Sequence, residues 1–204
     1  LAVYSIGTEE DGTVNLELDV TTSLHQDALY GVNLGSDLFG FLLGMFPDVA
    51  YDSWLTIGSS TNADPSVSSI GMGAAWIDFN AGSGFTLDGA VGGSWYVTPG
   101  SNPLATAGDD GKVLLAQLTA ADGVDGVGHV SCNWNINWRD ANGVPHYEEG
   151  QVLNTQASAA PYEFSQDSSP IFVFPAAGDF DLTGYMRHLV SINTLHEDDF
   201  IHKV

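Results

Sequence analysis

Acidic side chains occur at the spacing of a calcium loop in residues 179–184. Asp179 and Asp181 stand at the first and third positions of such a loop, and a glycine stands at the sixth. The twelfth position is Val190, where an EF-hand requires a bidentate glutamate, so we expect no EF-hand. Because calcium also accepts irregular sets of oxygen ligands, we predict a non-EF site between aspartate-rich turns. Its candidate ligands are Asp179, Asp181, Asp122 and Asp125. Aspartates that only stabilise their own turns are the competing interpretation.

Catalytic chemistry has weak support in the sequence. Adjacent acids such as Glu148 and Glu149 would project to opposite faces of a strand, which is poor geometry for an acid–base pair. The histidines lack the short spacing of a zinc site, and no nucleophile elbow or Walker loop occurs. Cys132 lies on the apolar side of a predicted strand, which indicates a buried structural thiol. We predict no catalytic residues and no enzyme, although carboxylates from distant strands could still form a glycosidase site.

Tryptophan offers another chemistry, the stacking of sugar rings. The five tryptophans fall within predicted strands, where a core position is the default. Trp134 and Trp138 alternate in step with Cys132, so we expect them on the apolar face. The candidates for ligand stacking are Trp54 and Trp95. Stacking on such rings would make the protein a carbohydrate-binding module.

Residues 38–46 form an apolar, glycine-punctuated run that a simple sandwich does not explain. Packed inward, the run would cap one end of the core. Facing outward, it would form an apolar patch on an otherwise acidic protein, which is typical of a protein–protein interface. The predicted assembly interface consists of Leu38, Phe39, Phe41, Leu42, Leu43, Met45 and Phe46.

The elements that must position these residues are mostly strands, because the dominant hydrophobic period is two. Apolar and polar residues alternate through residues 14–20 and 130–138. Further strand candidates are 52–57, 70–79, 92–97, 112–119, 144–149 and 171–174. Residues 140–143 have the composition of a hairpin turn. Helix is limited to a short segment within 37–46, while 185–195 fits either a helix or a strand.

These patterns predict an all-β fold, an antiparallel two-sheet β-sandwich of jelly-roll type with little helix. The sandwich core would span residues 1–155. Residues 156–204 would form a long loop, a final strand and a C-terminal arm that packs on the same domain or on a neighbouring subunit. On the polar side of the tryptophan strand, the row Asn133, Asn135 and Asn137 would face solvent or hydrogen-bond to a neighbour.

The charge balance limits the partners. The chain has 26 acidic and four basic residues and a net charge of −22, so it should repel nucleic acid and anionic lipid. Copies that pack together would need salt or calcium to offset this charge, and calcium is the only cofactor that the sequence suggests. Residues 38–46 are too few to span a bilayer. The chain begins at Leu1 rather than Met, which we interpret as processing or as a fragment of a longer chain, and we expect an extracellular or cell-surface location.

Four stretches resemble a β-sandwich module that recurs in predicted secreted proteins of aquatic bacteria and algae. They are residues 46–58, 92–97, 113–119 and 135–143, so the resemblance extends over about residues 20–150. The chain is also distantly similar to algal pyrenoid shell proteins, which self-assemble into sheets. The resemblance implies a secreted β-sandwich. It carries over no enzyme activity and no catalytic residues.

The leading functional expectation is a structural subunit of a self-assembling fibre, sheet or shell outside the cell. Copies would form a homo-oligomer or polymer through edge strands and through terminal arms at residues 1–6 or 192–204. The alternative is a carbohydrate-binding or calcium-dependent ligand-binding module of a secreted protein. A hydrolase is the third hypothesis.

Overall fold

The computed structural model describes residues 1–8, 15–88, 90, 92–108, 112–121, 128–154, 185–193 and 201–203. The described part has the predicted fold class: antiparallel sheets dominate, and the two α-helices are short. In chain order the strands are β1 (Ala2–Gly7), β2 (Leu16–Val20), β3 (Trp54–Leu55), β4 (Ser68–Ile70), β5 (Phe85–Leu87), β6 (Ser94–Tyr96), β7 (Lys112–Ala121), β8 (Val130–Arg139), β9 (Pro145–Asn154), β10 (Tyr185–Asn193) and β11 (Ile201–Lys203). The α-helices are α1 (Leu42–Met45) and α2 (Gly73–Asn80), and single 3₁₀ turns occupy Gly35–Asp37, Pro47–Tyr51 and Pro103–Ala105.

The larger sheet is organised around β8, the strand with the clearest alternation. Its order is β4-β6-β1-β8-β2-β5, and β9 also pairs with β8. Because β9 pairs along nearly the whole of β8, β1 and β2 lie end to end along the other edge. β1 therefore has neighbours on both sides, β6 and β8. This corrects the prediction that residues 1–6 form an arm for exchange between copies.

The smaller sheet has the order β11-β10-β7-β3. β10 pairs with β7 along its full length, from Tyr185 opposite Ala121 to Asn193 opposite Lys112. The ambiguous segment 185–195 is therefore a strand through Asn193, and β10 and β11 complete a sheet of their own chain. The strand expected at 171–174 lies outside the described residues.

The core lies between the two sheets and follows the predicted alternation. Cys132, Trp134 and Ile136 of β8 are buried, and they belong to one apolar cluster with residues of β7. The rings of Trp95 and Trp134 meet edge to face, with centroids 5.4 Å apart at 85°. Burial raises the pKa of the Cys132 thiol far above its ordinary range, which agrees with a structural role. Trp138 is only half-buried at the periphery of the cluster.

One predicted strand is wrong. Residues 70–79 form the end of β4 and then helix α2. Gly71 separates the two with φ +70°, and a Cβ there would lie 2.4 Å from the carbonyl O of Gly92. After this turn Ala75 and Phe79 are buried at helical i, i+4 spacing, so Trp76 is a helical residue rather than a strand residue.

Two members of the asparagine row of β8, Asn135 and Asn137, hydrogen-bond within their own sheet. Asn135 is fully buried because β9 has a bulge opposite it, and its Oδ1 accepts a hydrogen bond from the backbone N–H of Gly150 at 2.8 Å. The Nδ2 of Asn137 donates to the Oγ of Ser5 at 3.0 Å. These contacts differ from the expected solvent face.

Within the described ranges, no helix has the length and apolar character needed to cross a bilayer.

Candidate functional site

The apolar run 38–46 divides into an inner and an outer side. Leu38 and Leu42 are buried and form a second, smaller core with Val49. The other side chains of the predicted interface are between 36% and 64% exposed, and we call them the apolar patch: Phe39, Phe41, Leu43, Met45 and Phe46. The sequence left open whether the run packs inward or faces outward, and the structure shows both. Leu38 and Leu42 are therefore not available to a partner.

The backbone turns of the run produce this division. Leu38 has an extended backbone (φ −70°, ψ 118°) and precedes α1, whose single turn is closed by the N–H of Phe46 bonding to the carbonyl O of Leu42 at 2.8 Å. The remaining residues of the run then point away from the small core. Phe39 and Phe41 contact each other, with ring centroids 5.8 Å apart at 53°. Two of the patch residues therefore touch, and the others are exposed within the same eight residues of chain.

Gly44 leaves a gap within the patch. A Cβ at this position would meet no atom within 4 Å, and its φ lies outside the left-handed region. Neither space nor backbone conformation therefore requires glycine here, although glycine costs a helix about 1 kcal/mol relative to alanine. Gly40 is similar, because its Cβ would meet only Thr61, at an ordinary 3.6 Å. The backbone of α1 is consequently open to close approach from outside.

A loop bound to Asp52 supports one side of the patch. The Asp52 carboxylate accepts hydrogen bonds from the N–H of Asp27 at 2.8 Å and from the N–H of Val32 at 2.7 Å. Val32 and Tyr30 of this loop pack against the small core. The ring of Tyr30 also lies against Phe46 of the patch, with centroids 4.6 Å apart.

A second loop supports the other side. Asp64 accepts hydrogen bonds from the N–H groups of Ser60 and Thr61 at 2.8 and 3.1 Å. Asn62 then donates its N–H to the carbonyl O of Leu38 at 2.7 Å and accepts from the N–H of Gly40 at 3.3 Å. The start of the run is therefore tied to a turn that an aspartate organises.

Asp52 is unusual among these aspartates because its side chain is completely buried. Desolvation raises the pKa of this carboxyl to about 6, against the opposing effects of its two backbone hydrogen bonds and of nearby His25. Asp27 acts in the same direction as desolvation. The carboxyl therefore titrates near neutral pH within a site that supports the patch.

An acidic groove lies apart from the patch, at the β2–β5 edge of the larger sheet. Its volume is about 590 Å³. Glu17 and Asp19 are two residues apart on β2 and so project from the same face, and Asp78 comes from the last turn of α2. Thr22, Ser83 and Thr86 add hydroxyl groups. In the part of the chain that the structure describes, no group of three His, Cys, Asp or Glu side chains could hold a metal ion.

The other predicted site residues have different outcomes. Asp179, Asp181, Asp122 and Asp125, the predicted calcium ligands, lie outside the described residues. Trp54 is 3% exposed and Trp95 is 0% exposed, so neither ring has a free face on which a sugar could stack. The indole of Trp95 instead donates a hydrogen bond to the carbonyl O of Thr56 at 3.1 Å. The stacking prediction is corrected because both rings belong to the core.

Sequence reasoning missed the residues that support the patch, above all Asp52, Asp64 and Tyr30. The only available signal was an aspartate directly before the buried residues Ser53 and Trp54, where a charge needs backbone donors. Chemically, the site presents apolar surface and accessible backbone rather than a reactive group. The chain matches no protein-family model, no curated protein and no solved structure.

Proposed function

We propose that this protein is a non-enzymatic structural subunit that self-associates through the apolar patch into an extracellular or cell-surface assembly. One observation carries the proposal: five large apolar side chains are exposed together within residues 39–46 of a chain with a net charge of −22. Such a patch is costly to leave in water, and burying it against a partner recovers that free energy. The resemblance to self-assembling shell proteins supports the same proposal.

The charge distribution favours a second copy as the occupant. Residues 38–47 contain no charged side chain, and Asp37 and Asp48 flank this stretch. Two copies with this charge repel each other most where acidic surfaces face, so contact through an uncharged stretch minimises the repulsion. Salt would screen the remaining repulsion between more distant acids. A basic partner protein is the alternative occupant, and salt would weaken its binding instead.

The shape of the patch is compatible with pairing to itself. Phe41 and Met45 project about one turn apart, and the open backbone at Gly44 lies between them in sequence. In a two-fold arrangement, a ring of one copy can rest over the glycine of the other, and the reverse contact follows by symmetry. A two-fold contact alone gives a dimer.

Growth into a fibre, sheet or shell requires a second contact, for which β4 is the candidate edge. Among the strands that the structure describes, β4 pairs only with β6; its three residues are exposed, and Ile70 is 66% exposed. β9 is the longer edge, but the bulge at Gly150 and the acids Glu148 and Glu149 disfavour pairing with another chain. We therefore place the second contact at β4.

Sedimentation velocity combined with negative-stain imaging at low and high salt tests the proposal. We expect oligomers or polymers that grow with protein concentration, and a shift to monomer in Phe41→Ser. The control is Ile77→Ser, since Ile77 is exposed on α2 outside the patch. Dispersed monomers under all conditions, including added calcium, would argue against self-assembly.

A ligand-binding module is the second candidate, and the acidic groove is the observation that favours it. Its carboxylates and hydroxyls could bind the hydroxyl groups of a sugar directly. Glycan-array binding with and without added calcium tests this function. Binding that disappears in Glu17→Gln or Asp78→Asn, but persists in Phe41→Ser, would favour the groove over the patch.

A further inference from the structure

The loop that contacts the patch is closed by a single carboxylate. Asp27 begins the loop and Val32 ends it, and Asp52 accepts the backbone N–H of both residues through its two different oxygens. Inside the loop, the Asp27 side chain accepts from the N–H groups of Leu29 and Tyr30 at 3.0 and 2.8 Å. Asp52 therefore holds the two ends of the loop, while Asp27 shapes its interior.

Tyr30 transmits the position of this loop to the patch. Its ring packs against the small core of Leu38, Leu42 and Val49, and it also contacts Phe46 at a centroid distance of 4.6 Å. If the loop moves, Phe46 of the patch loses its contact with the Tyr30 ring. The Asp52 carboxylate bonds to the loop backbone, so its effect on the patch passes through Tyr30.

We propose that Asp52 is the positioning residue of the apolar patch, and that proton binding to its buried carboxyl strengthens closure of the loop on Phe46. The link to assembly rests on the proposed function, whereas the link between Asp52 and loop closure does not. Self-association would then depend on pH near 6, through a residue that lies outside the interface.

The groups that face Asp52 determine the direction of this effect. His25 favours the ionised carboxyl and Asp27 disfavours it, while the amide of Gln117 donates to the Asp52 backbone carbonyl at 2.8 Å. Burial is the largest effect and raises the carboxyl pKa from 3.8 to about 6 in the closed loop. An open loop would expose the carboxyl and return its pKa towards 3.8. The closed loop therefore binds the proton more tightly, and closure weakens as the pH rises through 6.

Amide hydrogen exchange measures closure directly. In the wild-type protein, after correction for intrinsic exchange rates, we expect the protection of residues 27–32 and of 38–46 to decrease between pH 5 and pH 7. Between pH 5 and pH 7 the decrease can reach about tenfold at most, because a carboxyl with a pKa of about 6 loses most of its bound proton over this range. In Asp52→Asn the pH dependence should disappear, because the amide accepts one backbone N–H at every pH.

Asp64→Asn is the matched control, since Asp64 supports the opposite side of the run. Asp37 flanks the patch, and burial raises its pKa too. Its effect on hydrogen exchange is the same in the wild type, Asp52→Asn and Asp64→Asn, so it does not affect the difference between them. If Asp52→Asn fails to fold, Tyr30→Ala provides the second test: loop 27–32 should keep its pH dependence, and residues 38–46 should lose theirs. Protection of loop 27–32 that stays constant between pH 5 and pH 7 in the wild type would overturn the proposal.

Sedimentation on the same variants separates this inference from the proposed function. If the wild type associates, its association should depend more steeply on pH between 5 and 7 than that of Asp52→Asn. Equal pH profiles would overturn the positioning role. A chain that never associates would refute self-assembly, and the exchange of residues 38–46 would still decide whether Asp52 positions the patch.

Discussion

Trp95 of the larger sheet donates its indole N–H to the backbone carbonyl of Thr56, which directly follows β3 of the smaller sheet. Trp95 is fully buried, and its ring also meets Trp134 edge to face. This hydrogen bond links the two sheets at the centre of the core. The Trp95 side chain therefore contributes to the stability of the sandwich and is not accessible to ligands.

Trp95→Phe should lower the free energy of unfolding by about 2 kcal/mol or more, because it removes buried volume and leaves the Thr56 carbonyl without its donor. Urea denaturation measures the loss. Trp76→Phe is the control, since Trp76 is only partly buried on α2, and its cost should stay below about 1 kcal/mol. Equal losses in the two variants would contradict a central role for the Trp95 contact.

Gly44→Gln separates association from folding. The fold should tolerate the change or gain up to about 1 kcal/mol, because the space is open and glutamine is a better helix former. Self-association should weaken at least about tenfold, or by 1.4 kcal/mol, because the new side chain blocks close approach. Gly73→Gln on α2 has the same open space and should leave association unchanged. Unchanged association in Gly44→Gln would remove Gly44 from the interface.

Salt should strengthen self-association. Raising the ionic strength from 0.01 to 0.15 M shortens the screening length from about 30 to about 8 Å, so acids on neighbouring copies repel less while apolar contact persists. Sedimentation equilibrium at several salt concentrations should show a tighter association constant in the wild type. Phe41→Ser should show no comparable gain. Weaker association at higher salt would indicate an interface of ion pairs and a basic partner.

Titration of Asp52 should make the free energy of unfolding depend on pH. Its folded pKa of about 6 lies above the ordinary 3.8, so the folded state binds the proton more tightly than the unfolded chain. The resulting stabilisation is complete below about pH 3.8 and is lost as the pH rises through 6, by at most about 3 kcal/mol. The measurement is the free energy of unfolding of wild type minus that of Asp52→Asn, between pH 4 and pH 7. A difference that stays constant with pH would contradict the assignment.

Asn135→Ala should cost about 1 to 2 kcal/mol, because it removes a fully buried side chain and leaves the half-buried N–H of the bulge residue Gly150 without its acceptor. Asn137→Ala is the matched comparison on the same strand face. Its partner, the hydroxyl of Ser5, is only half-buried and can turn towards water, so the loss should be smaller. Thermal unfolding of the two variants gives the ranking, and the reverse order would show that the bulge does not depend on Asn135.

Alternation predicted the long strands well, because a two-residue period needs only one buried face. β7 and β8 lie within a few residues of their predicted ends, and the turn at 140–143 joins β8 to β9 as expected, with Gly143 at φ +78°. The hairpin could be recognised because its turn requires a left-handed residue. The apolar face of β8, including Cys132 and Trp134, is buried as predicted.

The errors share a physical cause, which is that sequence patterns do not show where the chain turns back on itself. The residues of α2 have strand-like composition, but the approach of Gly71 to Gly92 separates them from β4. A core position was the default for Trp54 and Trp95, but the sequence could not exclude an exposed stacking face, because their burial depends on contacts between sheets. The support of the patch by Asp52 was likewise unpredictable, since Asp27 and Val32 are 25 and 20 residues away.

The position of β1 between β6 and β8 has a consequence for folding. Both edges of β1 can be hydrogen-bonded only after β6 (residues 94–96) and β8 (residues 135–139) have been synthesised. On a ribosome, nearly 140 residues must emerge before this strand is enclosed, so it spends the early part of synthesis as unpaired apolar chain. Such distant pairing places the protein among slow folders, on the order of milliseconds to seconds.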